Sequence, residues 1–186
     1  MNILGINGSP RIGGNTDILL DRVLEGARYE GARTEKAILN TLKFSPCQEC
    51  KEVRDDGLCL IEDDWLPLSE KIEEAEVIVL ASPIFFGSVT AQTKMMIDRF
   101  HCLWRAKYIL KRGSKKKKKG YFISVEASQR EDFFDNAKAI IKNLFATIDT
   151  CYEGELLFSG ISHKGGILEY PDALKEAFRL GERIVS

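Results

Sequence analysis

The sequence predicts a three-layer α/β fold in which a parallel sheet carries helices on both faces. Apolar runs such as NILGIN and VIVLA are too short for core helices and read as buried strands. Between them lie longer segments with apolar residues at helical spacing, so strands alternate with helices along the chain. The first apolar run also feeds directly into a glycine-rich loop that precedes a helix, an arrangement typical of such sheets.

The first strand spans residues 2–7 and the loop GSPRIGGNT follows at 8–16. Asn15 or Thr16 is expected to cap the next helix, and Asp17 suits its positive end. Leu20, Val23, Leu24 and Ala27 make the buried face of that helix, and Gly31 helps to end it. A weaker strand is predicted at 34–38. Residues 45–62 lack periodicity and read as an inserted loop containing Cys47, Cys50 and Cys59.

Asp63 or Asp64 opens a helix reaching about residue 74, and 76–81 is the clearest buried strand. A loop at 82–88 leads into a helix from Thr90 carrying Met96, Phe100 and Leu103, which breaks at Gly113. The five lysines at 115–119 read as a solvated turn and strand entrance ahead of the strand at 121–125. The segment 131–149 is the best helix, with Phe133, Ala137, Ile140, Ile141, Leu144 and Ile148 in one stripe. A last strand at 155–158 and a helix begun by Pro171, carrying Leu174, Ala177 and Phe178, complete the pattern. No internal repeat or linker divides residues 1–186, which read as one domain.

A chain of 186 residues buries enough surface to support its own core. Its net charge of -1 gives no general pull toward nucleic acid. The longest apolar stretch, 77–86, is too short to span a bilayer and is interrupted by Ser82 and Pro83. The first residues carry neither a basic start nor a long apolar segment, so the chain reads as cytoplasmic. Five cysteines, an odd number, argue for reduced thiols or metal ligands over a disulfide framework.

In a parallel sheet of this kind, ligands sit beyond the carboxyl ends of the strands. In GSPRIGGNT the glycines, Gly14 among them, let backbone N–H groups approach an anion. Ser9 and Thr16 add hydroxyls, Asn15 an amide and Arg11 a positive charge, a set suited to a terminal phosphate. The same residues also serve an ordinary turn and helix cap. No lysine makes the loop a Walker motif, GING does not continue as GxGxxG, and no acidic pair follows the first strand. Nucleotide hydrolysis, a dinucleotide fingerprint and a phosphoacceptor site are therefore disfavoured.

The loop SPIFFGS after the third strand brings Pro83, Ile84, Phe85, Phe86 and Gly87, a composition suited to the edge of a flat ring. Phe85 and Phe86 are equally compatible with the core. His101 and His163 read as packing or turn residues, and Cys102 and Cys151, within regular segments, read as buried small hydrophobes.

GSPRIGGNT, SPIFFGSVTAQTKMMIDRF and the cysteine segment between them resemble the flavodoxin-like NAD(P)H-dependent FMN reductase family, in particular its iron-sulfur flavoprotein branch. The resemblance is specific from residue 2 to about 100 and beyond that rests on element order. It implies a flavodoxin-like fold with a five-stranded parallel sheet and non-covalently held FMN. By position, Ser9, Arg11, Asn15 and Thr16 would hold the phosphate, while Pro83, Ile84, Phe85, Phe86 and Gly87 would line the flavin. It further implies that the loop at 126–129 contacts the ring, although that loop lacks glycines here, and that Asp98 and Arg99 are structural or interfacial. A homodimer or homotetramer would follow.

The branch carries four closely spaced cysteines suited to an iron-sulfur cubane, of which this chain supplies Cys47, Cys50 and Cys59 with Val53 in the third place. Valine cannot ligate iron, so a complete cluster would need Cys102, Cys151, a partner chain or solvent. The stretch thus reads as a family marker with incomplete cluster chemistry. The function implied is an FMN-dependent oxidoreductase that takes electrons from NAD(P)H and passes them to a flavin- or quinone-type acceptor. The alternative is a non-catalytic FMN electron carrier, with or without a cluster, for which the near-neutral charge offers no acidic docking surface.

Overall fold

A computed structural model of the chain describes residues 1–50, 54, 59–111, 117–130 and 132–186. Val53, Gly113, Lys115, Lys116 and Glu131 lie outside the described residues. The strands are β1 (Asn2–Asn7), β2 (Arg33–Ile38), β3 (Val77–Ala81), β4 (Lys118–Val125) and β5 (Thr150–Phe158). They form one parallel sheet in the order β2-β1-β3-β4-β5. The helices are α1 (Asn15–Tyr29), α2 (Trp65–Glu74), α3 (Ala91–Arg99), α4 (His101–Trp104), α5 (Asp132–Thr147) and α6 (Pro171–Val185). A π-helical turn, Arg105–Ile109, follows α4, and short 3-10 turns stand at Leu39–Thr41 and Gly166–Glu169. This is the expected three-layer arrangement.

Alternation along the buried strands sends successive side chains to opposite faces. In β3, Val77, Val79 and Ala81 join Leu20, Val23 and Leu24 of α1 and Ala177, Leu180 and Ile184 of α6. Ile78 and Leu80 face the other way, toward Trp65 and Ile72 of α2, Met96 of α3 and Ile141 and Phe145 of α5. On the first face α1 and α6 meet backbone to backbone. A Cβ on Gly26 would stand 2.1 Å from the Phe178 carbonyl oxygen, and one on Gly181 would stand 2.0 Å from that of Val23. On the second face the buried Trp65 indole donates to the Met96 carbonyl at 3.2 Å and ties α2 to α3.

Several boundaries differ from expectation for physical reasons. Gly14, with extended backbone, is the N-cap of α1 in place of Asn15 or Thr16, and no side chain closes that end. β4 starts inside the lysine run: Lys118 is buried and its ammonium meets Glu73 at 2.8 Å, so this lysine is not part of a solvated turn. β5 begins at Thr150 because, as an edge strand with one face open, it alternates polar and apolar residues and lacks a continuous apolar run. Cys151 falls on the open face and is exposed, whereas Cys102 is buried as expected. The α5 stripe runs through Phe134, Ala137, Ile141, Leu144 and Phe145; Phe133 turns toward the Gly87 loop instead. Among the described residues, no helix is long and apolar enough to cross a membrane.

Candidate functional site

Strand order reverses between β1 and β3, since α1 carries the chain outward to β2 before it crosses back. Such a switch opens a crevice at the carboxyl ends of the central strands. Here the loops after β1 and β3 are joined across it. Gly8 N–H donates to the Ala81 carbonyl at 2.7 Å, and the Thr90 hydroxyl donates to the Gly8 carbonyl at 2.6 Å. The hydroxyls of Thr90 and Thr93 are 2.9 Å apart, and a Cβ on Gly8 would fall 1.9 Å from Thr93 Oγ1, so only glycine fits this contact.

A cavity of about 390 Å3 fills the crevice, within the ~300–1,000 Å3 usual for small-molecule sites. One end is lined by Ser9, Arg11, Gly14, Asn15 and Thr16, and the other by Pro83, Ile84, Phe85 and Phe86. The two predicted groups therefore meet in one cavity. Gly87 does not line it: a Cβ there would press on the Phe133 ring at 3.2 Å, and its carbonyl accepts from the Asn136 amide at 2.7 Å. Val125, Ala127, Ile161, Ser162 and Lys164 complete the lining. Of these, only Ala127 belongs to a loop that the resemblance pointed to. The contribution of the 161–164 segment carries no motif and becomes visible only when β5 is set beside β4.

At the end formed by the loop after β1, the α1 amino terminus presents backbone N–H groups with a positive dipole end. Thr16 is 1% exposed and its buried hydroxyl has no partner among the described residues, an orphan donor on a residue that lines the cavity. Leaving such a group unpaired costs ~1–3 kcal/mol, which an anion accepting from it would recover. Ser9 folds the loop locally: its N–H donates to Asn7 Oδ1 at 2.9 Å, and its hydroxyl accepts from the Arg11 N–H at 3.1 Å. Asn15 departs from the role that its position implied. Its amide nitrogen donates to the His163 carbonyl at 2.9 Å and its oxygen accepts from the Ile167 N–H at 3.3 Å, so the side chain is engaged within the protein.

At the end formed by the loop after β3, Phe85 and Ser88 pair through both backbone groups, at 2.8 and 3.1 Å, and close a turn over Phe86 and Gly87. Both central residues have positive φ, 50° and 71°. A left-handed phenylalanine carries local strain of ~1 kcal/mol or more. Phe85 and Phe86 are both exposed, Phe86 fully, so neither belongs to the core. The Ile84 N–H donates to Val125 and the Phe85 N–H to Ser88; those of Phe86 and Gly87 remain as the loop's unengaged donors among the described residues.

The cysteine segment lies elsewhere, against α3 and α4. Cys47, Cys50, Cys59 and Cys102 line a space of about 20 Å3, roughly that of one water. Among the described residues, no three His, Cys, Asp or Glu side chains are arranged to hold a metal ion. Among the described residues the donor set is therefore not arranged as a cluster requires, and Cys151 stands apart, exposed on β5. Burial, with Cys59 nearby, pushes the Cys102 thiol up to about 12.

What holds the segment is Arg99, whose side chain is fully buried. It donates to the Ser45 carbonyl at 2.9 Å, to Asp63 at 2.7 Å and to the Ile61 carbonyl at 3.1 Å, clamping both ends of the loop. Burial alone would raise the Asp63 carboxyl, but the Arg99 guanidinium and the N–H groups of Ser45 and Trp65 outweigh it and hold it below the carboxylate range. Of the two histidines, His101 stacks on Trp104 and His163 pairs with Glu169 at 3.0 Å.

Sheet order, switch point and paired loops define a doubly wound α/β protein with a ligand cavity beyond β1 and β3. The comparisons make the class particular. The model of the NADPH-dependent FMN reductase family matches residues 1–143, and the chain belongs to that family. An iron-sulfur flavoprotein of Methanocaldococcus jannaschii is 41% identical over 99 residues, which are 53% of this chain and 51% of that protein. A Bacillus subtilis protein described as an NAD(P)H-dependent FMN-containing oxidoreductase is 26% identical over 98% of each chain. The chain spans little more than half the length of the first iron-sulfur relatives it matches, 51% and 58%. A solved flavone reductase superposes with a TM-score of 0.79 at 23% identity, covering 100% of this chain and 62% of that one, which is a likeness of fold.

Proposed function

We propose that this chain is an FMN-dependent oxidoreductase that takes electrons from NAD(P)H and delivers them to a flavin- or quinone-type acceptor. The observation that carries the reading is one cavity with a dipole-positive helix end and an orphan hydroxyl at one side and the 83–86 loop at the other. Bound FMN would supply the redox chemistry, accepting hydride at its ring nitrogen.

The chain's own residues bind and orient. Thr16, Arg11 and the first N–H groups of α1 take the terminal phosphate. Pro83 and Ile84 pack the ring, and the unengaged N–H of Phe86, which lines the cavity, is offered to its edge. Phe85 and Phe86, exposed at the cavity mouth, offer apolar surface to a second flat molecule such as a nicotinamide or the acceptor.

Anaerobic mixing of the FMN-loaded protein with NADPH or NADH tests the reading. The flavin's visible absorbance is expected to bleach with at least one donor and to return when a quinone is added. Bound FMN that neither donor bleaches would leave the non-catalytic carrier as the better description.

A further inference from the structure

The segment after β5 reaches the phosphate loop through one side chain. The Asn15 amide donates to the carbonyls of His163 and Ile161 at 2.9 and 3.5 Å and accepts from the Ile167 N–H at 3.3 Å. All three partners lie in the 161–167 segment, about 150 residues away in sequence. Asn15 is therefore a splint between the start of α1 and that segment.

The splint delivers Lys164. Its Cε and Nζ stand 3.7 and 4.0 Å from the place a Cβ on Gly13 would occupy, and it lines the cavity beside Arg11 and Thr16. Among the described residues it makes no ion pair or hydrogen bond. The nearby carboxylate, Asp17, accepts from the Gly13 N–H at 2.7 Å and from Lys36 at 2.8 Å, so its charge is already balanced. Lys36 is held by Asp21 as well, at 2.7 Å, and is not available to the cavity.

Charge arithmetic shows what the loop lacks. A phosphate monoester carries about -1.5 to -2 near neutrality. The α1 end supplies roughly +0.5 and Arg11 one unit, which leaves a dianion short by about half a charge. We propose that Lys164 is the second cation of the terminal-phosphate site and sets the preference for a phosphorylated flavin over riboflavin, with Asn15 as the positioning residue that holds it there. The inference rests on the FMN reading above and assigns a role that the loop sequence does not contain.

Fluorescence titration of the apoprotein with FMN and with riboflavin, in K164A, K164R, N15A and the double variant N15A/K164A, tests it. K164A is expected to weaken FMN about tenfold and to leave riboflavin within about twofold. Lys164 is exposed, so its removal leaves the core intact. K164R is expected to restore most of the FMN affinity. N15A is expected to lower the FMN-to-riboflavin ratio, and K164A added to it to cost less than K164A alone. Circular dichroism reports whether N15A folds; if it does not, K164A and K164R decide. An FMN-to-riboflavin ratio unchanged in K164A overturns the role of Lys164 while leaving the FMN reading standing. Failure of the unaltered protein to bind FMN overturns both.

Discussion

Thr16 sets stability against binding at a single residue. Its hydroxyl is buried without a partner among the described residues, so the ligand-free protein bears the desolvation cost of a group that FMN would satisfy. Thr16→Val keeps the shape and removes the hydroxyl. The ligand-free variant is expected to melt no lower than the parent while its affinity for FMN falls about tenfold, the effect of one lost hydrogen bond to a charged group. Thermal scans and FMN titration check both halves, and unchanged FMN affinity would remove Thr16 from the site. At this scale the sequence was legible where chemistry is local. Ser9, Arg11, Gly14 and Thr16 line the cavity because a strand, a glycine turn and a helix start follow one another within a few residues. Asn15 was not legible, since an amide at a helix start looks the same whether it faces a ligand or a distant loop. The side that Cys151 takes on β5 was hidden for the same reason.

Between elements, the Arg99 clamp is the contact most open to pH. Arg99 of α3 joins the loop ends at Ser45 and Ile61 to Asp63, which precedes α2, and lies 5.0 Å from the Trp65 ring centre. The Asp63 carboxyl is lowered from 3.8, so the stability it contributes is complete above the unfolded value and is lost as pH falls through the lower folded one. Acidification below pH 3.8 is therefore expected to loosen the loop around Cys47 and Cys59. Asp63→Asn should cost about 3 kcal/mol at neutral pH, because Arg99 is left buried without its counter-charge, and should flatten the acid dependence. Hydrogen exchange of the loop and melting across pH follow this directly, and an acid profile unaltered in Asp63→Asn would refute the assignment. The sequence marked Asp98 and Arg99 as a pair, yet they part: Asp98 meets Lys94 on the surface at 2.8 Å while Arg99 turns inward. Adjacent helical residues face different directions, so only the packing of α3 decides which one is buried.

At the scale of the whole molecule, the candidate site touches the loops after β1, β3, β4 and β5, so a ligand there bridges both faces of the sheet. Saturating FMN, at a hundredfold over its Kd, is expected to stabilise the fold by ~2.7 kcal/mol. For a domain of this size that corresponds to a rise in Tm of about 5–10 °C. A scan with FMN that shows no rise would count against the cavity as the flavin site, and riboflavin in parallel separates ring from phosphate. By itself the sequence determined the three-layer parallel architecture, the two loops that form the ends of the cavity and the family, because apolar runs, helical spacing and turn glycines act over a few neighbouring residues. Only the tertiary structure decided that Gly87 supports the cavity from outside, that four of the thiols gather around one small space and that Lys164 lines the same cavity as Arg11. Those outcomes depend on which distant segments the sheet order sets side by side, and no local pattern of residues encodes that choice.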